Sequence, residues 1–194
     1  MALTTVNPAM IGQTSTGAAS LTATGSAAAS LVTAAGTALS ADSSGRVTMP
    51  SQPSFRVYAT STQSPAPAAV IVFNNDSATS MFNTGNHYNT SNGRFTAPVT
   101  GVYAISFSVL YQSCSNGQYG DTSIYRNGST MINTNRLQYQ STYTGYGGYL
   151  EARSSVVIKL TAGDFITVNN GSANTQSLYV NDQSWSWFSG WLLG

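Results

Sequence analysis

Charge is the first thing this sequence lacks. Charged residues make up 7% of its 194 positions, against about 25% in an ordinary soluble chain, and 7 Lys and Arg against 6 Asp and Glu leave a formal net charge of +1. Binding nucleic acid through its phosphates needs several clustered cations. Here Lys159 is the sole lysine, and Arg46, Arg56, Arg94, Arg126, Arg136 and Arg153 are scattered, so no nucleic-acid partner is expected. Histidine, cysteine and glutamate each occur once, as His87, Cys114 and Glu151. That excludes a Cys/His zinc site and a disulfide framework within one chain. A Ser-His-Asp or Cys-His triad would have to use His87, which lies in an Asn/Thr/Gly-rich stretch with no G-x-S-x-G nearby. Glycoside hydrolysis needs two carboxylates about 5–10 Å apart, and Asp42, Asp76, Asp121, Glu151, Asp164 and Asp182 form no D-x-D or E-x-D pair. A non-enzymatic protein is therefore expected. Long apolar runs and a basic N-terminal region are missing as well, which points to a chain made soluble, neither exported by the usual route nor inserted in a membrane.

Aromatic residues are absent from the first quarter of the chain. All 7 Phe, 11 Tyr and 3 Trp lie from Phe55 onward, and the only charges before it are Asp42 and Arg46. Residues 14–20, 22–30 and 33–40 are low-complexity Ala, Ser, Thr and Gly. Such a segment buries too little apolar surface to offset its own ordering entropy. Residues 1–52 are read as an arm that anchors the chain by ordering against a partner, the alternative being a flexible leader, and residues 53–194 as the folded domain.

From Pro53 onward the pattern is one of short alternating runs bounded by turn residues. Phe55, Val57 and Ala59 alternate with Arg56 and Tyr58, and Val70-Ile71-Val72-Phe73 is a β-branched run. Val102, Ala104, Ser106 and Ser108 interleave with Tyr103, Ile105, Phe107 and Val109, which makes this the clearest strand. Further strands are predicted within 122–126, 130–136, 150–160, 165–168, 177–180 and 185–193. Asn92-Gly93, Asn116-Gly117, Asn127-Gly128 and Asn170-Gly171 punctuate them; Asn-Gly tolerates positive φ and favours tight hairpin turns. No window carries uninterrupted helical spacing. About ten short strands in about 140 residues argue for an all-β antiparallel sandwich or jelly roll.

Residues 88–107, YNTSNGRFTAPVTGVYAISF, resemble the signature of the globular head of complement component 1q, a family that shares its jelly roll with tumour necrosis factor. Tyr88, Asn89, Gly93, Phe95, Pro98, Gly101 and Tyr103 occupy the places of that signature. Phe55 and Val57 resemble the family's opening strand, Ile124–Gly128 its central hairpin, Leu160–Ile166 its Gly-Asp turn and Trp187–Leu193 its last strand. On their own physics these residues are scaffold: Gly93 and Gly101 for turns, Pro98 for a bend, and Phe95, Tyr103 and Phe107 for core bulk. The resemblance implies a homotrimer with inner strands packed about a three-fold axis. Trp185, Trp187 and Trp191 share a parity opposite to Phe188 and Leu192, so they are candidates for trimer packing, with a ligand as the rival cover for that aromatic face.

The join at Asp42–Pro50 and Gln52-Pro53 resembles the one that precedes such heads in structural proteins of tailed phages, particularly marine ones. It carries no collagen Gly-X-Y repeat. This implies a virion protein, made in the host cytoplasm and displayed outside the particle. Its head would attach as a tail fibre or spike to a host-surface glycan or receptor, and residues 1–52 would dock on other virion proteins. A capsid decoration or cement protein and a surface-polysaccharide depolymerase are the alternatives. Tyr119, Tyr139, Tyr143, Tyr146 and Tyr149 lie in an amide-rich stretch suited to ligand contact or to packing between subunits. Calcium is bound by loop carboxylates in some relatives of the family. Asp121 and Asp164 are the only donors by position here, and one carboxylate per subunit makes a weak site unless an axis gathers three; no cofactor is expected.

Overall fold

A computed structural model describes residues 29–33, 36–42, 44–140, 148–180 and 182–194. The chain forms two compact units, Met1–Pro50 and Ser51–Gly194. No helix occurs among the described residues, and none is long and apolar enough to cross a membrane.

The first unit holds a three-stranded antiparallel meander, β1 (Ala29–Thr33), β2 (Gly36–Ala41) and β3 (Val47–Thr48), in spatial order β1-β2-β3. Composition gave no sign of these strands. Leu31 pairs with Leu39 and Ser30 with Ser40, and the Ser30 and Ser40 hydroxyls lie 3.1 Å apart. Asp42 turns the chain from β2 into β3. Its Oδ1 accepts the N–H groups of Ser44 and Arg46 at 2.9 and 3.0 Å, and its Oδ2 accepts the Arg46 Nε–H at 2.6 Å.

The second unit is a two-sheet sandwich in which the chain passes repeatedly from one sheet to the other. One sheet has the order β10 (Thr130–Asn135), β9 (Thr122–Arg126), β12 (Phe165–Asn170), β7 (Arg94–Thr96), β6 (Tyr88–Asn89). The other runs β11 (Leu150–Leu160), β8 (Gly101–Gln112), β14 (Trp187–Leu192), β4 (Ser54–Tyr58), β5 (Phe82–Thr84), with the short β13 (Ser177–Leu178) also paired to β8. All strand pairs are antiparallel. This is the all-β jelly roll expected from the turn spacing.

Alternation along β8 decides what the core contains, because successive Cβ atoms point to opposite faces. Tyr103, Ile105, Phe107, Val109 and Tyr111 are all at most 1% exposed. They meet Phe55, Val57 and Phe188 of their own sheet and Phe95, Ile124, Ile166 and Val168 of the other. The Phe55 ring is central, with centroids of Phe95, Phe188 and Tyr88 at 4.6, 4.9 and 5.4 Å. Each such buried side chain contributes roughly 1.5–3 kcal/mol.

Two sequence-based strands require correction. Residues 70–73 form no strand; only Val70 makes a bridge, to Asn169. Ile71 and Phe73 are buried; the Ile71 N–H still donates to the Val168 carbonyl of β12 at 2.8 Å, but at the next two residues side chains take the place of a neighbouring strand. The Val72 N–H donates to Gln63 Oε1 at 2.9 Å and the Phe73 N–H to the Tyr88 hydroxyl at 3.1 Å. The last strand begins at Trp187, because Trp185 and Ser186 belong to the turn before it: the Trp185 N–H donates to the Asp182 carbonyl at 3.3 Å.

Candidate functional site

The face of the β8 sheet turned away from the core is built by the even positions of β8, which are small in the middle of the strand: Ala104, Ser106 and Ser108. Register sets large residues on either side of them. Trp191, Ser189 and Trp187 of β14 stand beside Ala104, Ser106 and Ser108, and Val157, Ser155 and Arg153 of β11 stand on the other flank. Beyond β14, Ser54, Arg56 and Tyr58 of β4 continue the rows, and Phe82 of β5 pairs with Arg56. The small row is therefore the floor of two shallow hollows of about 280 and 340 Å³, walled by Trp191 and Val157 and by Trp187 and Arg153. Val157, Phe82 and Trp191 are 64%, 46% and 45% exposed. Large apolar side chains at that exposure, gathered on one sheet face, are the mark of a surface built to be covered.

Three polar groups on this face have partners within the chain. The Arg56 guanidinium lies 4.5 Å from the Trp187 ring centroid, and Arg153 forms an ion pair with Glu151. The Ser108 hydroxyl sits 2.9 Å from both Glu151 Oε1 and the Trp185 carbonyl. Trp187 and Trp191 thus share the outer face while Phe188 fills the core. Trp185 stands apart in its turn.

The tyrosines singled out by sequence divide by role. Tyr119, 46% exposed, has the Arg136 guanidinium 5.4 Å from its ring centroid; Arg136 in turn forks onto Asp121, with Nε 3.0 Å from both carboxylate oxygens and Nη2 2.7 Å from Oδ2. Tyr139 is half-buried against the core, and its N–H donates to the Gln118 carbonyl at 2.8 Å. Tyr149, 51% exposed, packs edge-on to Tyr179 at 5.3 Å, and Tyr179 does the same to Trp185 at 6.3 Å. Tyr143 and Tyr146 lie outside the described residues. Sequence reasoning missed Tyr179 as a partner of Tyr149, since 30 residues separate them and only the fold brings the rings together.

Asp121 and Asp164 sit at opposite ends of the β9–β12 pair, where Thr122 faces Asn170 and Arg126 faces Ile166. Seven residues of ladder at about 3.4 Å each hold them roughly 24 Å apart, so they share no site within one chain. Asp121 is buried at 4% exposure in its Arg136 fork, which raises the arginine's pKa. Asp164 accepts the Asn127 amide at 2.8 Å and the Thr161 N–H at 2.9 Å; these bonds, the Asn127 one foremost, hold its carboxyl below the usual range. Among the described residues no three His, Cys, Asp or Glu side chains gather as metal ligands. Burial pushes the Cys114 thiol up and His87 down, which keeps both neutral at pH 7.

The sequence profile of the C1q domain family matches residues 54–193. The chain is 30% identical over 111 residues to complement C1q tumor necrosis factor-related protein 3 of Mus musculus, covering 57% of this chain and 41% of that one. It is 29% identical over 115 residues to the collagen alpha-1(X) chain of the same species, covering 58% and 15%. The chain spans less than half the length of these relatives. Similar folds occur in the globular domain of zebrafish complement 1qA, with TM-score 0.54, 16% identity and 74% and 98% of the two chains covered. Eiger TNF from S. frugiperda gives a TM-score of 0.56 at 14% identity, with 74% and 93% covered. The signature at residues 88–107, the strand order and the profile match agree, and the chain belongs to the C1q domain family.

Proposed function

We propose that the protein is a homotrimeric, non-enzymatic binding head that projects from a virion appendage and attaches it to a host surface through a glycan or protein receptor. The observation that carries this reading is the exposed band of Trp191, Val157 and Phe82 on one face of the β8 sheet, with the half-buried Trp187 among them. Copies of the chain packed about a three-fold axis cover such a band with the small floor of Ala104 and Ser106, and three weak sites on one head gain affinity by acting together. Placement on a virion rests on the resemblance of the join at residues 42–53 to those of tailed phages, with residues 1–52 as the docking arm. Calcium is not part of the proposal, since Asp121 and Asp164 are each engaged elsewhere. Hydrolysis of surface polysaccharide draws no support either: Asp121 and Glu151, its best carboxylates, are each tied to an arginine.

A capsid decoration protein is the second reading. The meander of β1, β2 and β3 favours it, because among the described residues each outer strand is paired on one side alone and offers its other edge to a lattice partner. Gold labelling of particles from the producing culture, with an antibody raised against the full chain, separates the two. Gold on tail fibres or the tail tip is the expected result. Gold over the capsid transfers the role to decoration, and particles free of gold overturn the virion assignment.

A further inference from the structure

The end of the sandwich beside Tyr58 holds a trough of about 500 Å³, lined among others by Tyr58, Thr60, Thr79, Asp182 and Gln183. A second hollow of about 430 Å³ shares its Thr60 and Val180 wall and adds Tyr179. Together they fall within the size range of small-molecule sites. We propose that this trough binds a neutral saccharide, in a place distinct from the tyrosine loop at Tyr119.

The backbone on either side of it is braced before any ligand arrives. Tyr58 and Asn75 exchange backbone hydrogen bonds at 3.0 and 3.1 Å, and Asn75 Oδ1 accepts the N–H groups of Ser77 and Ala78 at 3.0 and 3.2 Å. On the other side, the Ser186 hydroxyl donates to the Tyr179 carbonyl at 3.0 Å and accepts the Leu110 N–H at 3.1 Å. A rigid frame spares the ligand the entropic cost of ordering the site.

The lining has the chemistry that hydroxyl-rich rings need. Threonine hydroxyls donate and accept, Asp182 accepts, and the Gln183 amide does both. Gln183 Oε1 is buried and meets no donor, so turning the amide out into the trough forfeits no hydrogen bond at that oxygen. Tyr179 continues into an edge-to-face strip with Tyr149 and Trp185, which offers aromatic faces to the C–H side of a sugar. Charge selects among sugars: the described lining contains one carboxylate and no cation. Anionic saccharides are therefore repelled, and neutral ones are not.

Saturation-transfer NMR on the full chain tests this with three neutral trisaccharides, maltotriose, mannotriose and tri-N-acetylchitotriose, and with sialyllactose as the anionic probe. At least one neutral probe binds with a dissociation constant below about 10 mM. Gln183→Ala and Thr79→Val each weaken it about fivefold, the effect of a lost hydrogen bond, while Tyr119→Ala leaves it unchanged. All three positions lie outside the core, and unchanged thermal midpoints verify folding. Absence of binding by all neutral probes, preference for sialyllactose, or binding that falls with Tyr119→Ala and not with the trough variants overturns the assignment. The molar mass of the same preparations reports assembly separately, so a failed trimer and a failed site are told apart.

Discussion

Gly190 shows how a single position in the last strand decides whether its neighbours in the same sheet can fill the core. It lies in β14 between β4 and β8, and a Cβ there would stand 2.7 Å from Ile105 Cδ1, 2.8 Å from Phe55 Cε1 and 3.1 Å from the Ala104 carbonyl. Neither Phe55 nor Ile105 can yield, since each is at most 1% exposed and packed on all sides. Gly190→Ala is expected to cost about 1–3 kcal/mol, the usual penalty of overpacking a core, read as a lowered urea midpoint with unchanged slope. Tyr88 carries a comparable constraint in polar form. Its ring stacks on Phe55 while its hydroxyl accepts the Phe73 N–H, which is why a signature tyrosine and a buried non-strand segment occur together.

Turns, more than strands, set the register of the elements. Asn127 and Gly128 both have positive φ, 54° and 71°, which lets β9 return as β10 in a tight hairpin. Asn127 then ties this hairpin to the turn before β12: its amide donates to Asp164 Oδ1, and its Oδ1 accepts the Phe165 N–H at 2.9 Å. Because Asp164 titrates below the ordinary carboxylate range when folded, its ionised form stabilises the native state. That contribution is complete above the unfolded value of about 4 and is lost as pH falls through the lower folded value. Stability is expected to drop on acidification below about pH 4, and Asp164→Asn to make the drop shallower, measured by urea midpoints across the acid range. A shallower curve and not a flat one is expected, because Asp42 and Asp182 are shifted in the same direction.

Much of this was legible from sequence. The period-two run at 102–109, the hairpin at Asn127-Gly128 and the strands at 122–126 and 150–160 follow from local chemistry and are found in place. What escaped depends on distant partners. Residues 70–73 have strand composition, but after Ile71, whose N–H donates to the Val168 carbonyl, the Val72 and Phe73 N–H groups donate to the Gln63 and Tyr88 side chains. Asn170-Gly171 reads as a hairpin turn, yet neither residue has positive φ; Asn170 closes β12 and donates its amide to the Pro65 and Asn174 carbonyls. The meander at β1–β3 was hidden because Ala, Ser and Thr alternate without the bulk that normally signals a strand. The aromatic strip of Tyr149, Tyr179 and Trp185 joins two loops that no sequence spacing connects.

At the scale of the whole molecule, the sandwich places its two sheet faces in different situations. The core face of β8 is completely filled, and the opposite face leaves Trp191 and Val157 open over a floor of alanine and serine. With 7% charged residues, the chain has little else to keep an apolar band dispersed in water, and self-association is the arrangement that removes it from solvent. The trough beside Tyr58 and the Tyr119 loop supply recognition in this account, and the band supplies assembly.

The molar mass of the purified full chain, measured by light scattering during gel filtration, tests this most directly. The account predicts three chains of 20.3 kDa each in the particle, and a single chain for Val157→Glu with its β-sheet circular dichroism intact, because Val157 is 64% exposed and outside the core. A wild-type mass of one chain, or a trimer indifferent to both Val157→Glu and Trp191→Glu, would contradict it.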